Sequence, residues 1–179
     1  AFKINSDAVK TIAELCKKST CKLIHYSSDY VFDGTKNDYY YEEDEPTPLN
    51  IYGKSKLQGE QIALETDDSF LAFRLSWVIG RGQQNFLYKL GNWAKANKTL
   101  QISADEVSIP TFTDDIVDLT MKSLEAGLSG LYHMTSSQYA SRYELARFYI
   151  ESQNMDNIVV PVPISNFQTA AERPKFSPL

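Results

Sequence analysis

Two short apolar segments, Lys22–Ser27 and Phe70–Ser76, each stand between stretches of helical periodicity, and this alternation constrains the fold more than any other feature. Strands separated by helices pair in parallel, because parallel neighbours need a crossover of about a dozen residues or more and a helix supplies it. The run FLAFRLS, ending near Trp77, is apolar on both faces and reads as a strand buried from two sides. The expected fold class is α/β around a mainly parallel sheet, where ligands gather beyond the carboxyl ends of the strands.

The helices carry their own punctuation. Ser6 is placed to cap a helix whose apolar positions Ala8, Val9, Ile12, Ala13 and Cys16 recur at helical spacing, with Lys17 and Lys18 at its C-terminal end. Tyr52 to about Glu65 predicts a second helix, weakened by Gly53 and Gly59, and Phe86–Ala96 predicts a third. Thr113 reads as the cap of a fourth, with Asp114 and Asp115 in its first turn and Gly127 just past its end. Ser141 and Glu144 form a capping box for a fifth, YELARFYIES. Short strands fit within Gln101–Thr111 and at Leu131–Met134. Val31–Leu49 has no periodicity, an Asp33-Gly34 turn signal and two prolines, and so reads as a long loop of the functional kind. The tail is broken by Pro161, Pro163, Pro174 and Pro178.

A length of 179 residues with 42% hydrophobic content suits about one ordinary domain and excludes disorder, collagen-like repeats and a coiled coil. No apolar run approaches the roughly 18 residues of a membrane span, and the start AFKINSD lacks a basic segment followed by an apolar one, so a soluble chain without an export signal is expected. A net charge of -5, with no basic run longer than Lys17-Lys18, argues against nucleic-acid binding and leaves a locally held phosphate open. Cys16 and Cys21 read as reduced thiols of a cytoplasmic protein. No metal site is expected. His25 and His133 have no partners at metal-ligand spacing and read as satisfied core histidines, and the acidic run Glu42–Glu45 reads as a solvated loop.

Tyr52 and Lys56 stand at i and i+4, on one face of their helix. An ammonium beside a phenol favours phenolate and lowers the tyrosine pKa from about 10 toward a range useful for proton transfer. Chance alone gives about one such pair in a chain of this composition, so the surroundings decide its meaning. Upstream, Ser27-Ser28-Asp29-Tyr30-Val31-Phe32-Asp33-Gly34 puts hydroxyls at a strand's carboxyl end, and the pair itself lies within EEDEPTPLNIYGKSKLQGE. Arg74-Leu-Ser-Trp77-Val-Ile-Gly80 follows the next strand. Further on come Asn85-Phe86, the loop Asp105–Thr111 ending in Ile-Pro-Thr, Gly130-Leu-Tyr-His-Met, and Arg173-Pro174 with Ser177 and Leu179. In order and spacing these blocks resemble the dTDP-4-dehydrorhamnose reductase family of the extended short-chain dehydrogenase/reductase superfamily.

The resemblance implies a partial Rossmann-like, doubly wound parallel sheet with a small α/β substrate-binding part. Residues 1–76 would form the C-terminal half of the cofactor-binding domain, and residues 77–179 mainly the substrate part, interleaved with the first. It implies NADPH or NADH as cofactor and reduction of the C4 ketone of a nucleotide-linked 4-keto-6-deoxy sugar, dTDP-4-dehydro-L-rhamnose to dTDP-L-rhamnose. Tyr52 would give the proton; Lys56 would tune it and contact the nicotinamide ribose; Ser28, where the family has Thr, would hydrogen-bond the reacting oxygen. Asp29, Trp77 and Arg173 would contact the sugar nucleotide, and Ser27 the cofactor. A homodimer is left open. The bland readings are a core Trp77, turn residues Ser28 and Asp29, and a solvated Arg173. The resemblance further implies a chain that starts after the glycine-rich phosphate turn and stops before the last helix, since Gly80-Arg81-Gly82 follows the wrong strand and reads as a loop. Rival readings are an epimerase or dehydratase of the same superfamily, and a noncatalytic regulatory subunit.

Overall fold

The computed structural model describes residues 1–179, and in it the two apolar segments become neighbouring parallel strands. In chain order the first elements are α1 (Ala8–Lys18), β1 (Ile24–Ser28), α2 (Ile51–Thr66), β2 (Leu71–Leu75), β3 (Val78–Ile79) and α3 (Phe86–Ala96). There follow β4 (Thr99–Ser103), β5 (Val107–Ser108), β6 (Thr111–Phe112), α4 (Thr113–Glu125), β7 (Gly130–His133), β8 (Ala140–Ser141), α5 (Arg142–Ser152) and β9 (Ile158–Val162). The fold class is α/β, as the alternation predicts.

The main sheet has the order β1-β2-β7, all parallel, with Ile24 opposite Leu71 and Leu71 opposite Gly130. Period-two alternation splits its side chains between two helical layers. Ile24, Leu71, Phe73 and Leu75 pack with Ile116 of α4, and the Tyr26 hydroxyl meets Thr120 Oγ1 at 2.8 Å on the same helix. On the other face, His25 lies against Gly59 of α2 and Arg74 against Glu60. Helices therefore cover both faces, which is the doubly wound arrangement.

A second core forms where Leu90 of α3, Ala146 and Ile150 of α5, and Leu100 and Ile102 of β4 meet. There β4 pairs in parallel with β9, Ile102 opposite Pro161. The proline-rich tail thus contains a strand that the sequence reading left out: as an edge strand β9 tolerates a residue without an N–H. Between the two cores run the pairs β3-β6 and β5-β8.

Two expected caps differ. Ser6 does not start a helix; it lies buried inside a π-helical segment, Lys3–Asp7, that runs directly into α1. Thr113 is the first residue of α4, which has no side-chain cap. The Ser141–Glu144 capping box forms as read, with Ser141 Oγ accepting from Glu144 N and Glu144 Oε2 accepting from Ser141 N.

One polar network stitches the first core. Arg74, whose side chain is 3% exposed, donates through Nε and Nη2 to the two carboxylate oxygens of Glu60 at 3.0 and 2.7 Å. Arg74 Nη1 stands 3.4 Å from His133 Nε2, and His133 Nδ1 stands 3.1 Å from the Tyr40 carbonyl. These contacts assign a neutral ring with its proton on Nδ1, and burial accordingly holds His133 below its ordinary pKa. Glu42, expected in a solvated run, instead accepts the His133 backbone N–H at 2.7 Å and pins the long loop to β7. Removing one partner of the buried pair strands the other charge, so in the full protein Arg74→Met should cost about 3–5 kcal/mol in chemical denaturation. The double variant Arg74→Met/Glu60→Leu should recover most of that loss.

Candidate active site

β1 ends at the carboxyl edge of the sheet in Ser27 and Ser28, and the chain turns at once through a single 3₁₀ turn, Asp29–Val31. Ser28 caps this turn: its Oγ accepts from Tyr30 N at 3.2 Å and donates to Asp29 Oδ1 at 3.1 Å. Asn50 caps α2, its Oδ1 accepting from Gly53 N at 2.8 Å while Nδ2 donates to the Glu172 carbonyl. A Cβ on Gly53 would lie 2.1 Å from the Tyr30 carbonyl oxygen, and one on Gly59 would lie 2.0 Å from that of Asn5. Of the two glycines that cost helix propensity, Gly53 therefore allows α2 to press against the turn after β1 and Gly59 allows the segment before α1 to press on α2.

That approach brings Tyr52 to Ser28. The Tyr52 ring packs edge-on against Tyr30, with centroids 5.6 Å apart, and remains 47% exposed at the edge of the site. Partial burial pushes the phenol above its ordinary pKa, a hydrogen bond with Ser28 pulls it back, and the nearby Asp29 charge raises it further. The depression expected from Lys56 is absent, because Lys56 Nζ turns away to the Tyr26 carbonyl. Burial lowers the pKa of Lys56 itself, against the charge of Glu60. Tyr30, deeper in the site, is pushed up to about 12, first by burial and then by Asp29.

Asp29 is 3% exposed and faces inward rather than toward an open site. Besides Ser28, its carboxylate accepts from Ser177 Oγ at 2.8 Å and stands 3.0 Å from Ser108 Oγ. Burial raises its pKa while the hydroxyls and the charge of Arg142 oppose that shift. Ser27 is buried, and its Oγ has no partner within the protein. Neither has His25 Nε2, so His25 is not the satisfied core histidine that its place in an apolar strand suggested.

A cavity of about 530 Å³ is lined by Trp77, Phe86, Glu106, Arg142 and Arg173 among others but by none of Ser28, Asp29, Tyr52 and Lys56; it is joined to them through Tyr30, which feels the charges of Arg142, Arg173 and Glu106. Trp77 sits at φ +31°, a conformation few non-glycine residues adopt, and its carbonyl accepts Thr111 N. The Arg142 guanidinium lies 3.7 Å from the centre of the indole, and Arg173 Nη1 lies 3.3 Å from Glu106 Oε1. Arg142 escaped the sequence reading. Its one signal is its place as the first residue of the capping-boxed helix, which carries no hint of a stacked, buried guanidinium.

The residues present fit one end of a nicotinamide cofactor. The Ser27 hydroxyl is buried without a protein partner and the Lys56 ammonium reaches the Tyr26 carbonyl on the same strand, so polar atoms along β1 are placed where a ribose could bond to them. In the Gly80–Gly82 loop the close approach is to the chain itself: a Cβ on Gly80 would lie 2.5 Å from Thr113 Oγ1, and Asn85 Nδ2 donates to the Gly80 carbonyl at 2.7 Å.

The sequence model of the RmlD substrate binding domain matches residues 1–179. The chain belongs to this family. Among proteins similar to it is the dTDP-4-dehydrorhamnose reductase of Burkholderia thailandensis, 35% identical over 193 residues, an alignment covering 98% of this chain and 65% of that protein. The structure of a dTDP-4-dehydrorhamnose reductase from Bacillus anthracis in complex with NADP superposes with a TM-score of 0.96 at 32% identity, covering 99% of this chain and 63% of that one. An orthologue from Clostridium acetobutylicum gives a TM-score of 0.97 at 31% identity, over 100% and 64%. The chain thus spans a little under two thirds of the length of these relatives. No helix of this RmlD-family chain is long and apolar enough to cross a membrane.

His25 supplies a test of the buried face behind the site. Burial first, and then the charge of Lys56, lower its pKa to about 4. The unfolded chain takes up a proton near pH 6.5 and the folded one does not, so this contribution lowers stability as pH falls from about 6.5 to about 4, by about 3 kcal/mol in all. Nuclear magnetic resonance should find the ring neutral down to about pH 4, and His25→Gln should remove this part of the acid sensitivity.

Proposed function

We propose that the protein reduces the C4 ketone of a nucleotide-linked 4-keto-6-deoxy sugar with a nicotinamide cofactor, converting dTDP-4-dehydro-L-rhamnose to dTDP-L-rhamnose. The observation that carries this reading is the close approach of α2, bearing Tyr52 and Lys56, to the turn after β1 that holds Ser28 and Tyr30, with Tyr30 in turn facing the charges of Arg142 and Arg173 in the cavity that also holds Trp77. The names of its relatives support the substrate class, and the NADP bound to the Bacillus anthracis relative supports NADPH over NADH.

A bound nicotinamide would supply hydride to C4. Tyr52, held above its ordinary pKa, is a protonated phenol at neutral pH and can donate from Oη to the ketone oxygen as charge develops there. Ser28 orients that phenol. Lys56, Tyr52 and Ser27 would hold the nicotinamide end of the cofactor. Arg142 and Arg173 offer fixed forks for the diphosphate, with Trp77 as the apolar wall beside them. In this reading residues 1–76 are the cofactor-side part and residues 77–179 mainly the substrate side. The second part is interleaved with the first, since α4 and β7 return to the first core. We place the enzyme in the cytoplasm, where nicotinamide cofactors and reduced thiols coexist. An epimerase would recycle its nicotinamide, and a regulatory subunit has no need of the catalytic trio.

The full protein, given NADPH and dTDP-4-dehydro-L-rhamnose, should oxidise one cofactor per sugar reduced. Tyr52→Phe should keep cofactor affinity and lose about 10²–10⁴ in kcat, the usual worth of a positioned acid. Unchanged turnover in that variant would overturn the assignment. Arg142→Met should raise KM by about 10-fold or more, the scale of a lost charged hydrogen bond, with a smaller effect on kcat.

A further inference from the structure

The chain folds back sharply over the C-terminal end of α1. Ser19 closes the helix, and Thr20 follows at φ +52°, in the left-handed region. Two hydrogen bonds hold the reversal: Thr20 N donates to the Lys17 carbonyl at 3.3 Å, and Cys21 N donates to the Cys16 carbonyl at 2.9 Å. Bonds at these two offsets make a Schellman motif, in which side chains from the helix's last turn and from the second residue past the cap commonly touch. Here the residues joined by the outer bond are the two cysteines of the chain. That bond also limits the span between their Cα atoms: with standard bond lengths on either side of it, the separation is at most about 6.8 Å, a distance a disulfide can bridge. Cys16 is half-buried and Cys21 exposed, and both are free thiols. Cys21 Sγ makes only a weak bond, 3.6 Å from the Ser19 carbonyl, which a turn about its Cα–Cβ bond releases. Both cysteines precede β1, at the opposite end of that strand from Ser28.

We propose that Cys16 and Cys21 form a modification site, a dithiol that a low-molecular-weight disulfide oxidises to a Cys16–Cys21 bond across the end of α1. Cys21, the more exposed, attacks one sulfur of the oxidant as its thiolate and displaces the first thiol. Cys16 then attacks Cys21 Sγ in the mixed disulfide and displaces the second. The oxidant's S–S bond is broken, one S–S bond forms within the protein, and the two released thiols carry away the two electrons and the two cysteine protons. Excess thiol runs the same steps backwards, and an exposed disulfide is of the kind that reopens in this way. The site is independent of the reductase reading, since it stands on the geometry of the helix end alone.

The test is thiol–disulfide exchange in the full, folded protein. It is incubated with excess oxidised glutathione, the remaining thiols are alkylated, and the chain is digested with trypsin. Trypsin cuts after Lys17 and Lys18, between the two cysteines, so a Cys16–Cys21 bond leaves two peptides joined until a reductant is added. Mass spectrometry should find this joined pair as the main oxidised product, and reduced glutathione should reopen it. In Cys16→Ser the exchange stops halfway, and glutathione should accumulate on Cys21. Glutathione accumulating on Cys21 of the unmodified protein without the joined pair would overturn the proposal, as would complete alkylation of both cysteines. Two variants test the role of the cap. Thr20→Pro fixes φ near about −65° and removes the N–H given to Lys17, whereas Thr20→Gly keeps the left-handed turn. The ratio of joined pair to Cys21 adduct should fall about tenfold or more in Thr20→Pro, as an effective concentration set by the cap is lost, and hold in Thr20→Gly. Equal ratios would mean that nearness in sequence suffices, and would overturn the proposal. Should Thr20→Pro fail to fold, the same ratio is compared between the native and the guanidinium-unfolded unmodified protein: a higher native value supports the site, and equal values overturn it.

Discussion

The close approach of α2 to the turn after β1 is the contact on which the site depends. Every functional group that α2 carries is placed relative to Ser28 by the gap left at Gly53, where no side chain fits between the helix and the Tyr30 carbonyl. A second gap at Gly59 lets the π-helical segment before α1 press on the same helix from the other side. The helix is thus clamped between two backbones at positions about two turns apart, which fixes its rotation as well as its distance. Rotation matters here, since Tyr52 and Lys56 reach β1 from one face only. The face that α2 turns to the sheet is small and polar, with Gly53, Ser55, Gly59, Glu60 and Ala63 buried, and the two glycines determine how close it comes.

Ionic and neutral hydrogen-bonded contacts divide the work around this clamp. The Glu60–Arg74 pair joins α2 to β2, and His133 carries the connection to β7 and the long loop. Net stabilisation from such a pair is small once desolvation is counted, but its geometry is demanding, and it sets the register between helix and sheet. Phe32 adds an apolar lid, stacked on Tyr40 at 4.2 Å with the Arg74 guanidinium 5.0 Å from its ring. The loop from Val31 to Leu49 has no regular structure, yet it is anchored by Val31, Phe32, Tyr40 and Glu42. The substrate side is organised differently: there the arginines stack on aromatic rings or pair with Glu106, and the guanidiniums stay available to the cavity.

Much of this was legible in the sequence, for reasons that differ by element. Short apolar runs identified β1 and β2, and helical spacing with end signals such as the Ser141–Glu144 capping box identified α3, α4 and α5, because these are local properties written at fixed offsets. The proposed trio Ser28, Tyr52 and Lys56 stood out only through its surrounding blocks, since a Tyr–Lys spacing is common by chance. What failed was long-range. The direction of the Lys56 ammonium depends on where the Tyr26 carbonyl lies, and the buried state of Asp29 depends on Ser108 and Ser177 far along the chain. Strand β9 was hidden by Pro161, whose cost vanishes only at a sheet edge that the sequence does not announce. Arg142 was hidden because a guanidinium stacked on Trp77 is a tertiary fact.

The hydrogen bond from Ser177 to Asp29 joins residues 148 positions apart. Contacts of such separation form late in folding, because the chain between must be ordered before they are rewarded. During synthesis the ribosome releases Ser28, Tyr52 and Lys56 well before Ser177, and in that interval Asp29 lacks one of its three hydroxyls. A nascent chain therefore carries Ser28, Tyr52 and Lys56 before the carboxylate next to Ser28 has all its partners. The turn after β1 is therefore held in full only once the segment around Ser177 has folded back onto it.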